Sequence, residues 1–112
     1  YGYSALEALA TGCALVTTNV MALGEVNDES CGWVVDVPCD DLRHPRLSNI
    51  DQIEHFSAVL ETGIERALKN AAENPELIRQ KGEGALRRIR ERHDPVNHAK
   101  TLEAIYDEIL EI

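Results

Sequence analysis

The chain has 112 residues, 44% of them apolar, with 20 acidic and 11 basic side chains and a formal net charge of −9. That length suits one small domain, and the apolar share excludes a disordered chain. The negative balance argues against a partner presenting a phosphate backbone, so no nucleic acid is expected. No stretch approaches the roughly 18 apolar residues that read as a membrane-spanning helix. No signal peptide is recognisable. The three cysteines, Cys13, Cys31 and Cys39, form no C-x-x-C pair and read as reduced thiols acting as small buried hydrophobes. Together these point to a cytoplasmic protein. Because the chain begins with Tyr1, it reads as a fragment or a processed product.

Residues 1–18 read as a turn, a short helix, a glycine stop and a strand. Gly2 can take backbone angles closed to other residues. Ser4 followed by Glu7 has the spacing of a capping box, and Gly12 suits the position just past a helix end. Ala14 to Thr18 is a short apolar, partly β-branched run, expected to be buried on both faces. A helix start behind a glycine turn presents unpaired N–H groups and the positive end of a dipole, which suits phosphate. Glu7 lies one turn in, where a carboxylate can accept hydrogen bonds from ribose hydroxyls or simply close the capping box.

Asn19 to Val26 reads as a loop with a helical turn, and Asn27 to Ser30 as a polar turn. Gly32 to Val37 is the second expected strand, ended by Pro38. Residues 38–50 form a long loop, read either as a surface insertion or as one wall of a cleft. Three helices follow. The first is capped by Ser48 or Asn49 and carries Ile53, Phe56, Leu60, Ile64, Ala67, Leu68 and Ala71 on one face, with Gly63 as a candidate bend. The second starts at Pro75 and turns Leu77, Ile78, Ala85, Leu86 and Ile89 inward. Gly82 and Gly84 each cost about 1 kcal/mol there, so tertiary packing must hold that helix. The third is capped by Asp94, with an apolar face from Val96 to Leu110. Arg87, Arg88, Arg90 and Arg92 read as a solvated basic face. His44, His55, His93 and His98 show no ligand spacing, and His93 and His98 are not expected to share a face, so no metal site is expected. Nor does any Ser-His-Asp or Cys-His arrangement stand out as catalytic machinery.

The run Tyr1-Gly2-x-x-x-Leu6-Glu7-Ala8-Leu9-Ala10-x-Gly12, followed by a strand, resembles the nucleotide-sugar segment of the retaining GT-B glycosyltransferases of family 4. Glu7 matches the second glutamate of the family's pair; the first would stand two positions before Tyr1. Residues 19–26, with Glu25, resemble the family's Gly-Gly-x-Pro-Glu-Val loop, and Gly32-Trp33-Val34-Val35 its Gly-x-Leu-Val strand. The similarity covers residues 1–35. Ala14 replaces the usual proline, and Met21 and Ala22 replace the usual glycine pair.

The resemblance implies an α/β fold: the C-terminal part of a Rossmann-like (GT-B) domain, with few parallel strands followed by three helices. Residues 1–112 would be part of the donor-binding domain, residues 1–37 its nucleotide-binding segment and residues 51–112 its C-terminal helices. It implies transfer of a sugar, with retention, from a nucleoside-diphosphate sugar to a carbohydrate or lipid-linked acceptor. The acceptor would be held by an N-terminal domain against which residues 95–111 brace. Gly2, Tyr3 and Ser4 would bind phosphate through backbone N–H groups, Glu7 the ribose, and Glu25 the donor. No cofactor is implied beyond the donor itself. The family's basic pair lies upstream, so no catalytic side chain is named here, and the isolated chain is expected to be inactive. Contact with the inner membrane face is left open. The alternatives are another GT-B enzyme, such as a nucleotide-sugar epimerase, or a non-catalytic α/β interaction module.

Overall fold

The computed structural model describes residues 2–111; Tyr1, the first residue of the glycine-turn motif, lies outside them. The element order is α1 (Tyr3–Ala10), β1 (Leu15–Thr18), α2 (Leu23–Val26), β2 (Gly32–Val35), α3 (Ile50–Glu73), α4 (Pro75–Arg92) and α5 (Pro95–Leu110). The fold is α/β and mostly helical, with two short parallel strands among the described residues.

The expected glycine stop is present. Gly12 takes φ 81°, the Gly12 N–H donates to the Leu9 carbonyl and the Cys13 N–H to the Ala8 carbonyl. Those two bonds are the Schellman closure of a helix end. The chain then enters β1, which pairs with β2 in the register Leu15↔Gly32 to Thr18↔Val35. Paired residues share a sheet face, so Leu15 points to one side and Val16, Trp33 and Val35 to the other.

On the Leu15 side lie α1 and α4, around a core of Leu9, Val26, Cys31 and Ala85. On the Val35 side lies α3, where a β-carbon at Gly63 would fall 2.2 Å from Val35 Cγ1. Gly63 therefore admits the strand, and α3 runs unbroken through the position marked as a bend. Asn49 rather than Ser48 caps α3, its Oδ1 accepting from the Gln52 N–H at 2.8 Å.

The inward face of α4 is only partly the expected one: Ala85 and Ile89 turn to the core as expected. Lys81, Gly82, Gly84, Ala85 and Arg88 are buried, whereas Ile78 and Leu86 are exposed. Backbone contact decides this orientation. A β-carbon at Gly82 would stand 2.5 Å from the Gly12 carbonyl oxygen, and one at Gly84 2.0 Å from that of Ser30. The two glycines let α4 lie directly on the loops that follow α1 and precede β2.

Three further expectations are corrected. β1 is not buried on both faces, since Val16 is 36% exposed; one strand alone pairs with it among the described residues. Of the cysteines, Cys31 is buried, Cys39 is half-buried and Cys13 is exposed. His93 and His98 do approach one another, with ring centroids 6.3 Å apart. The helix is interrupted at His93 and Asp94, so spacing along a single helix does not apply.

The His93 pair carries a pH prediction. His93 Nε2 is buried without a partner among the described residues. Burial lowers its pKa from the ordinary 6.5, and His98, Arg88 and Arg92 lower it further. The unfolded chain therefore binds the extra proton more readily. Stability should be full above the ordinary value and decline as pH falls below it. The urea midpoint is expected to drop between about pH 7.5 and 5.5, and His93→Gln to flatten that drop. A midpoint equally pH-dependent in the variant would refute the assignment.

Asp94 caps α5 as expected, accepting from the Val96 N–H at 2.9 Å. Every residue of α5 is exposed, including Leu102, Ile105, Tyr106, Ile109 and Leu110. No helix of the described residues is long and apolar enough to cross a membrane.

Candidate functional site

The N-terminus of α1 is built around Gly2. It stands at the cap position with φ 90° and ψ 44°, a left-handed conformation that strains any residue with a side chain. Its carbonyl accepts from the Leu6 N–H at 3.1 Å, closing the first turn. No side chain caps the helix. The capping box is thus overturned: Ser4 lies inside the helix as its second residue, and the glycine has taken the cap position. Ser4 and Glu7, three apart, share an exposed face of α1, and Tyr3 is exposed beside them. The Glu7 carboxylate makes no hydrogen bond or ion pair with any described residue.

A β-carbon at Gly2 would stand 3.2 Å from Leu23 Cδ2, so α2 packs against the turn. Glu25 lies two residues beyond Leu23 with its side chain exposed. The turn at Gly2 and the start of α2 therefore meet at one rim. An apolar groove of about 530 Å³ opens beside this rim, reaching from Ser4, Thr18 and Leu23 down to Leu60, Ile64 and Leu68. Ser4 and Thr18 place its mouth at the carboxyl end of β1, where open α/β sheets bind ligands. A larger groove of about 740 Å³ follows β2 and α3 past Trp33, His55 and Arg66; none of Gly2, Tyr3, Ser4, Glu7 and Glu25 lines it. No group of three or more His, Cys, Asp or Glu side chains among the described residues could hold a metal.

Buried polar groups that pattern reading missed hold the rim in place. Asn27 is 1% exposed and its Nδ2 donates to Thr17 Oγ1 at 3.0 Å and to the Trp33 carbonyl at 3.1 Å, tying β1 to β2. Its Oδ1 accepts from Cys31 Sγ at 3.2 Å. At the strand ends, Asn19 Oδ1 accepts from the Val37 N–H at 2.8 Å.

The reading of four solvated arginines fails at Arg88, which is 7% exposed. Its Nε donates to the Val26 carbonyl at 2.9 Å, its Nη1 to Asp28 Oδ2 at 2.6 Å, and its Nη2 to the Glu25 carbonyl. Asp28 is held below the usual carboxylate range, first by the Ser30 hydroxyl and then by the Ser30 N–H and the Arg88 charge, against a burial effect of opposite sign. Two turns earlier Lys81 Nζ donates to the Gly32 carbonyl at 2.8 Å and lies 4.8 Å from the Trp33 ring centroid. Lys81 and Arg88 are seven apart, so they share a helix face. The glycines between them were the available signal that this face meets backbone.

Comparisons with protein-family models, with curated proteins and with solved structures return no match.

Proposed function

We propose that residues 1–112 belong to the donor-binding Rossmann-like domain of a retaining GT-B glycosyltransferase. The parent enzyme transfers a sugar from a nucleoside diphosphate to a carbohydrate or lipid-linked acceptor. The observation that supports this most is the start of α1. A left-handed glycine leaves the first-turn N–H groups without a side-chain cap, and an exposed carboxylate follows one turn later. The N–H groups and the dipole suit the diphosphate, and they stabilise the charge that grows on it as the sugar leaves. Glu7 accepts hydrogen bonds from the ribose, Tyr3 and Ser4 contribute backbone N–H groups, and Glu25 faces the sugar from α2. The exposed apolar face of α5 supports contact with a further domain, which supplies the acceptor site.

A charged hydrogen bond contributes about 1.5–3 kcal/mol. Glu7→Ala in the natural protein should therefore weaken nucleoside-diphosphate binding at least about tenfold by calorimetry. Undiminished affinity would remove Glu7 from the site, and with it the main support for the reading.

A further inference from the structure

We propose that the groove of about 740 Å³ between β2 and α3 binds a neutral oligosaccharide; the inference stands apart from the donor reading of the α1 rim. The α3 wall of the groove is a stripe. His55, Val59, Thr62, Arg66 and Asn70 recur at spacings of four and three, on one helix face. That stripe runs about 22 Å along the helix, longer than a single sugar ring needs. On the opposite wall stand Trp33, from β2, and Asp36, the residue that follows the strand. The polar groups of these walls are unpartnered. The side chains of Asp36, His55, Thr62 and Arg66 make no hydrogen bond or ion pair with any described residue. Asn70 Oδ1 accepts from Trp33 Nε1 at 2.9 Å, and Asn70 Nδ2 has no partner among those residues.

Donors and acceptors thus stand together around an apolar floor of Val34, Val35, Ala58 and Ala67. A sugar matches that mixture, because each hydroxyl both donates and accepts while the C–H faces of the ring are apolar. Trp33 is the wall those faces meet. Its indole is held in place by Asn70 and by Lys81 Nζ, 4.8 Å from the ring centroid. One arginine, Arg66, stands against two carboxylates, Glu29 and Asp36, so the groove has no positive field to hold an anion. The net charge of −9 repels one as well. An extended peptide would instead add to the edge of β2 through backbone hydrogen bonds. That edge is already occupied. The Cys31 carbonyl accepts from the Leu15 N–H of β1, so Gly32 and Val34 turn their backbone groups away from β1. Lys81 Nζ donates to the Gly32 carbonyl at 2.8 Å, and Glu29 Oε1 accepts from the Val34 N–H at 3.4 Å. The groove is therefore suited to a ligand held by side chains and an indole rather than by a strand edge.

The test titrates maltohexaose, cellohexaose, mannohexaose and chitohexaose against the natural protein by calorimetry. A hexapeptide of alternating valine and serine serves as the competing occupant. At least one of the sugars should bind. Arg66→Ala and Asp36→Ala remove exposed side chains without partners among the described residues, so the fold is kept. Each should weaken that sugar about tenfold. The two residues carry opposite charges, so a loss in both excludes a long-range field effect. Trp33→Leu should weaken the sugar at least as much. Lys69→Ala, which removes a cation on the same helix outside the groove, should leave the affinity unchanged. Equal affinity in wild type, Arg66→Ala and Asp36→Ala overturns the site, as does a protein that binds the peptide alone or none of these probes. A hexasaccharide bound by a protein that takes no nucleoside diphosphate keeps this inference and overturns the donor reading.

Discussion

Gly84→Ala should destabilise the chain by about 2 kcal/mol, although helix propensity alone predicts a gain of about 1 kcal/mol. The new β-carbon would fall 2.0 Å from the Ser30 carbonyl oxygen, far inside van der Waals contact. The obstacle is backbone, so no side-chain rotation relieves it. Helix α4 must lift from the loop before β2, and Lys81 and Arg88 then lose their seats on the Gly32 and Val26 carbonyls. Urea unfolding measures the effect directly. A neutral or stabilising substitution would mean that α4 does not sit on that loop.

Arg88→Ala should lower stability by about 2–3 kcal/mol, while Arg87→Ala and Arg90→Ala should stay within about 0.5 kcal/mol of wild type. Arg88 is buried and bonds three acceptors; Arg87 and Arg90 are exposed. Its removal strands the Val26 carbonyl and leaves Asp28 without its cation. Asp28 is 46% exposed on its side chain, so water meets part of its need, and the effect falls below that of a fully buried pair. Arg88→Lys should recover little, because one ammonium cannot span the positions a guanidinium fork reaches. Equal effects at positions 87, 88 and 90 in urea unfolding would contradict the buried clamp.

The contrast among these arginines shows where pattern reading works and where it stops. The glycine end of α1, both strands, the Pro75 start of α4 and the Asp94 cap of α5 follow from local chemistry and were readable from the sequence. The rotation of α4 was not. Ile78 and Leu86 outrank Lys81 and Arg88 on any hydrophobic scale, yet backbone carbonyls of the loop before β2 demand donors, and two glycines allow the approach. Long-range hydrogen bonding overrode the apolar pattern. Ser4 and Glu7 likewise matched a capping box, but Gly2 entered the left-handed region and became the cap itself. Tyr3, Ser4, Glu7 and Glu25 were selected from the motif; the first three are exposed on α1 and Glu25 is exposed on α2, the short helix on which Gly2 packs through Leu23.

The most direct test of a donor site at the start of α1 is amide hydrogen exchange on the natural protein, with and without a saturating nucleoside diphosphate. Slowed exchange at Tyr3, Ser4 and Ala5, together with the Leu23–Glu25 segment of α2, is the predicted result. Unchanged exchange there, or protection confined to the groove along β2 and α3, would contradict it.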